Sequence, residues 1–180
     1  MNVAFASRRA ARSETTSGRR SLTTDAAIVC SAFAALAHFV AAPGHYIWWP
    51  AAGVFFVALG VAQSLCAVML LRGGRPLWFV LAGIWCTAGV ILIYVASRTV
   101  GLPWAPPVPF HGGRWVPGRS AIPNGAKYVG PLDLFTLVAE LVFVVALIST
   151  LPSRWRSRTV NQLMWIGLAL WGAAVLGLLR

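Results

Sequence analysis

Apolar residues in this chain come in long blocks rather than in alternation, and short clusters of Arg, Pro, Gly and Trp separate the blocks. A continuous apolar run of about 20 residues matches a helix crossing the hydrocarbon of a bilayer. Five stretches fit: 26–42, 51–71, 76–97, 132–151 and 160–179. The first is the shortest and Ala-rich, with room to extend toward Trp49. The pattern predicts an all-α membrane protein, a five-helix transmembrane bundle occupying residues 26–180, preceded by a flexible basic tail over 1–25.

The ends of these blocks have physical causes. Proline lacks an amide donor and fits a helix best in its first turn. Pro50 and Pro76 sit where the second and third spans begin, Pro131 immediately precedes the fourth, and Pro152 follows its last apolar residue. Pro43-Gly44 is expected to break the first span, and Gly73-Gly74 makes a tight turn after the second. Tryptophan favours the membrane–water interface, and Trp48, Trp49, Trp78, Trp104 and Trp155 all fall at expected span ends.

Composition agrees with this pattern. The chain has 180 residues, 58% hydrophobic and only 11% charged, against about 25% charged in soluble domains. Such hydrophobicity excludes a disordered chain and, at this level, a soluble globular one. The formal net charge of +11 would suggest nucleic acid in a soluble protein, but no recognition motif accompanies the dispersed basic residues. Positively charged loops stay on the cytoplasmic side. The tail (Arg8, Arg9, Arg12, Arg19, Arg20), the second connection (Arg72, Arg75) and the fourth (Arg154, Arg156, Arg158) fall on one side of a five-span bundle and hold ten of the 15 basic residues. The expected orientation is therefore N-terminus cytoplasmic and C-terminus outside, in the plasma membrane. A removable signal over 1–42 is the alternative for the first block. Arg19-Arg20-Ser21-Leu22 resembles a twin-arginine start, but Pro43 would follow the cut.

Residues 101–131 hold seven of the eleven prolines and six of the 17 glycines. Extended backbone is expected over Pro103–Pro109 and successive turns after it. Trp104, Phe110, Trp115 and Tyr128 suit an external loop that caps the bundle, as a passive cover or as a lid.

Ionisable groups at membrane depth mark a site or a structural pair, and here they are few. Glu140 lies well inside the fourth span, His38 about one turn below the expected outer end of the first, and Gln63 near the middle of the second. Arg98 and Asp133 stand at the outer ends of the third and fourth, with His45 just above. Asp133 and Glu140 are two turns apart and share a helix face. Together these residues suggest a polar pocket opening outward, with Arg98 pairing Asp133 or Glu140. The sharper expectation is a ligand or ion site in which Glu140 and His38 bind a cation, a proton or a polar head group.

Other chemistry finds little footing. His38 and His45 lie in one segment and cannot grip opposite faces of a haem. His38, His45, Asp133 and Glu140 have acceptable metal-ligand types without a tight spacing motif. Cys30, Cys66 and Cys86 form no Cys-x-x-Cys and suit reduced, packed thiols. There is no phosphate-binding glycine loop, nucleophile elbow or His-Glu-x-x-His, so no catalytic residue is assigned and cofactor and metal stay unspecified. Small-residue spacings such as Ala58-x-x-x-Ala62 permit close helix packing.

Three segments carry a resemblance: His45-Tyr46-x-Trp48-Trp49-x-x-Ala52-Gly53-Val54-Phe55-Phe56 through Gln63, Ser97-Arg98-Thr99-Val100-Gly101-Leu102-Pro103, and Gly130-x-Leu132-Asp133 with Ala139-Glu140. On these the chain resembles small multi-spanning integral membrane proteins of high-GC Gram-positive (actinobacterial) bacteria. The resemblance implies an architecture and no activity. The leading functional expectation is a non-enzymatic interaction or accessory membrane protein, partnered by the lipid bilayer and by another membrane protein or a second copy, with no nucleic acid. The alternatives are a small transporter or metal- or ligand-binding protein using the polar residues, and then a membrane redox or lipid-modifying enzyme.

Overall fold

The computed structural model describes residues 21–99 and 130–176, apart from the side chains of Trp48, Arg98, Thr99 and Ala174. The described residues are all-helical and form five helices: α1 Leu22–Trp48, α2 Pro50–Leu71, α3 Leu77–Thr99, α4 Pro131–Thr150 and α5 Ser153–Val175. Four of them, α1 to α4, are long and apolar enough to cross a membrane. The expected loop over 101–131, except Gly130 and Pro131, lies outside the described residues, as do residues 1–20 of the tail.

The helix starts follow their local chemistry. Ser21 caps α1, its Oγ accepting from the Thr24 amide at 3.3 Å, so residues 22–25 belong to the helix and not to a flexible tail. Pro50 opens α2 and Pro131 opens α4, each in the first turn where its missing N–H costs nothing. Asp133 accepts from the Gly130 amide at 3.4 Å and closes the α4 N-terminus. Between α2 and α3, Gly73 takes φ 78°, a left-handed turn that glycine adopts without Cβ strain. The Gly74 amide then returns to the Met69 carbonyl, as in a helix-ending turn.

One expected stop is absent. Pro43-Gly44 does not end the first span: α1 continues through Pro43 for 27 residues. Within a bundle, a proline costs one backbone bond that neighbouring groups and small adjustments can absorb. Only Trp49 separates α1 from α2, so the two helices leave a tight corner antiparallel and in close contact. The α5 helix also starts earlier than the expected 160–179 block, at Ser153, and carries Arg154, Arg156 and Arg158 in its opening turns.

The helices pack in the order α2, α1, α4, α3, with α5 touching α4 lightly. Glycine sets the α1–α2 approach: a Cβ on Gly53 would meet the Tyr46 backbone at 2.6 Å, and one on Gly60 the Phe39 ring at 2.7 Å. Gly53, Gly60 and Ala67 are buried at seven-residue spacing, placing one small residue every two turns against α1. Ala58 and Ala62, the pair expected to allow close packing, lie on the exposed side of α2 instead. An apolar core of Ala27, Leu70, Val80, Ile84, Phe143 and Leu147 fills the end where α1 and α3 begin and α2 and α4 finish. In a bilayer such a core holds by van der Waals fit, since lipid tails are as apolar as leucine.

Candidate functional site

Above that core the bundle interior turns polar. His38 on α1, Gln63 on α2 and Glu140 on α4 are 5%, 6% and 3% exposed, and they meet at one atom. His38 Nε2 stands 3.1 Å from Glu140 Oε1, and Gln63 Nε2 donates to the same oxygen at 3.2 Å. Three helices thus contribute one group each to a carboxylate near the middle of the spans.

Each position follows from the helix that carries it. The extension of α1 to Trp48 places His38 ten residues, about 15 Å at 1.5 Å per residue, from the helix end. That is much deeper than the single turn expected of a span that stops at residue 42. Glu140 is the tenth residue of the 20 in α4. Gln63 falls on the buried face of α2 between Gly60 and Ala67, so the same close approach that needs glycine brings its amide to α4. A further support sits beneath: Ser31, two turns before His38 on α1, donates its hydroxyl to the Gln63 backbone carbonyl at 2.8 Å. Phe56, two turns before Gln63, meets the His38 ring edge-on with centroids 5.5 Å apart.

The satisfaction of the three groups is uneven. Glu140 Oε1 has two partners, whereas Gln63 Oε1 is buried and has none among the described residues. A buried orphan acceptor costs about 1–3 kcal/mol, and Gln63 Oε1 is one among the described residues.

Of the other expected site residues, Asp133 and His45 are described. Asp133 shares the Glu140 face but serves the α4 N-terminus through the Gly130 amide; the Gly130-x-x-Asp133 spacing is itself the signal for that role. His45 is exposed, stacks on Phe56 at 4.2 Å, and has its Nδ1 3.2 Å from the Ala41 carbonyl. The Arg98 side chain lies outside the described residues; Glu140 is met by His38 and Gln63. Among the described residues no three His, Cys, Asp and Glu side chains stand together in a way that could hold a metal ion. The three cysteines are free, Cys30 and Cys66 half-buried and Cys86 exposed. His38, Gln63 and Glu140 are all buried within the described residues. Ser31 was not singled out in the sequence; its two-turn offset from His38 was the available clue.

Four apolar helices around a buried His–Gln–Glu cluster define a helical membrane protein with a polar interior site. No protein-family model, no curated protein and no solved structure matches the chain.

Proposed function

We propose that the chain is a five-span protein of the plasma membrane, N-terminus cytoplasmic and C-terminus outside, and that it is a small binding or transport protein whose ligand at the His38–Gln63–Glu140 triad is a proton. The observation carrying this reading is the convergence of three buried side chains from three helices on Glu140 Oε1. An intramembrane ionisable group is expensive and marks function by default. With Glu140 ionised and His38 neutral the pair carries −1. One proton makes it neutral, and a second makes it +1. Hydrocarbon disfavours a net charge on the pair, and an imidazole beside a carboxylate can hold one proton between them without one. Gln63 contributes a fixed donor that holds Oε1 in place, and its own orphan Oε1 offers an acceptor to water or to an arriving donor. The orientation is supported by the basic residues of the tail, the α2–α3 turn and α5, ten of the 15 in the chain.

Infrared difference spectra of the protein in liposomes, taken across pH, test the proton. A carboxyl band that titrates, vanishes in Glu140→Gln and shifts in His38→Gln is the expected result. A spectrum in which Glu140→Gln removes no titrating carboxyl band refutes the reading.

A second reading, an accessory subunit for another membrane protein, is favoured by α5. That helix packs near Thr159 and Leu163, while Met164, Trp165, Leu168 and Trp171 stay exposed. Recovery of a stoichiometric partner in mild detergent, lost in Trp165→Ala/Trp171→Ala, is the outcome that supports it.

A further inference from the structure

A second site stands at the other end of the core, independent of the triad. Where α1, α3 and α5 begin and α2 and α4 end, a cleft of about 310 Å³ is lined by Arg75, Leu77, Val80, Thr150, Leu151 and Pro152. Val80 and Leu151 are buried and form an apolar floor, while Arg75, Leu77 and Pro152 are exposed at the rim. Its volume lies at the lower end of small-molecule sites, about 300–1,000 Å³.

We propose that this cleft binds a phosphate group, presented as the head group of an anionic phospholipid whose glycerol end rests on Leu77 and Val80. Three observations agree on the sign of the ligand. Arg75 is held in place rather than free: its guanidinium donates to Thr24 Oγ1 at 3.0 Å, and Thr24 is buried and in turn bonded to Ser21. That contact uses one N–H of a planar fork that carries several and suits phosphate oxygens. Next, two long helices begin at the cleft. The Pro76 carbonyl accepts from the Phe79 and Val80 amides, and the Pro152 carbonyl from those of Trp155 and Arg156. The amides of Leu77, Trp78, Ser153 and Arg154 therefore precede the first intrahelical bonds, and the positive ends of α3 and α5 favour an anion there. Finally, this end of the described bundle carries Arg72, Arg75, Arg154, Arg156 and Arg158 against Asp25 alone.

One feature opposes an anion: α4 also ends here, and its last carbonyls are partial negative charges. Two of the four are engaged: Thr150 Oγ1 donates to the Leu147 carbonyl and the Leu151 amide to that of Ile148. The carbonyls of Ser149 and Thr150 stand against five arginines at this end. The balance at the cleft stays cationic. Its place at the ends of the spans is head-group depth, and basic pockets between spans on the cytoplasmic side suit anionic lipid.

The test uses the full chain, delipidated in mild detergent, with thermal stability and native mass spectrometry read against three probes: phosphatidylglycerol, phosphatidylcholine and inorganic phosphate. Phosphatidylglycerol is expected to bind and stabilise, and Arg75→Gln to weaken it about tenfold, the loss of one charge-assisted contact. Arg158→Gln, which removes the same charge without lining the cleft, is expected to change binding less than about twofold. Phosphatidylcholine retained equally well, or equal losses for Arg75→Gln and Arg158→Gln, overturns the proposal. Arg75-dependent binding of inorganic phosphate with no preference for phosphatidylglycerol keeps the phosphate chemistry and overturns the lipid as its source. If Arg75→Gln does not fold, Leu77→Trp fills the cleft without touching a charge, and undiminished phosphatidylglycerol binding by that variant overturns the proposal.

Discussion

Replacing His38 and Glu140 by leucine, singly and together, measures what holds the triad and in which form. Glu140→Leu leaves the ring nitrogen of His38 and the amide of Gln63 without their acceptor. Each buried orphan costs about 1–3 kcal/mol, so the single change should cost about 2–6 kcal/mol. His38→Leu leaves a buried carboxylate with Gln63 as its one donor, which for an ionised group costs about 3–5 kcal/mol. The double variant removes both members, and apolar groups of similar volume in place of a buried pair are often neutral. The double variant leaves only the Gln63 amide orphaned, so for an ionised pair the two single costs should together exceed the double cost by more than about 2 kcal/mol. The size of that excess separates the two forms. Neutral hydrogen bonds between membrane helices average about 0.6 kcal/mol and reach about 1.7, so a coupling above about 2 kcal/mol indicates an ion pair. Reversible unfolding in mixed micelles with rising dodecyl sulfate gives the four free energies. Costs that add to within about 0.5 kcal/mol would refute the contact between His38 and Glu140.

Three further outcomes can be checked in the same unfolding assay. Gly53→Ala should destabilise more than Gly60→Ala, by about 1–3 kcal/mol in the first case, because its Cβ meets Tyr46 backbone while that of Gly60 meets a ring that can turn; equal costs would contradict the close approach at the corner. Gly73→Ala should cost about 1 kcal/mol, since φ is 78° and space around it is open; no loss would mean the turn is not left-handed. Ser31→Ala should cost about 1 kcal/mol and reduce the His38–Glu140 coupling, through the Gln63 carbonyl it supports; an unchanged coupling would separate Ser31 from the triad.

Helix positions were legible where they depend on the local chain. Block length and the prolines at 50 and 131 place α2 and α4 to within a residue, because a proline at a first turn acts through its own ring. Pro43 shows the limit of the same reasoning. Whether a proline ends a helix or is carried through it depends on what packs around the lost bond, and that belongs to neighbouring helices. The polar residues divide likewise. His38, Gln63 and Glu140 stand out by being rare at their depth, but which of them meet is a matter of helix register and order in the bundle. Asp133 shares a face with Glu140 and also accepts from the Gly130 amide, because a carboxylate in a first turn has donors within reach in its own helix end. Gln63 joined the site because glycines draw α2 onto α1, a constraint of shape that no chemistry of the amide reveals.

The proline carried inside α1 has a mechanical consequence. Having no N–H, it leaves the carbonyl of Phe39, one residue past His38, without the rung that stiffens every neighbouring turn. Bending stiffness is therefore lowest about one turn above the imidazole, and the six residues from Pro43 to Trp48 form a short lever on a soft joint. The corner at Trp49 ties that lever to α2, so any force at that end of the bundle that tilts it is delivered next to His38 rather than spread along the helix.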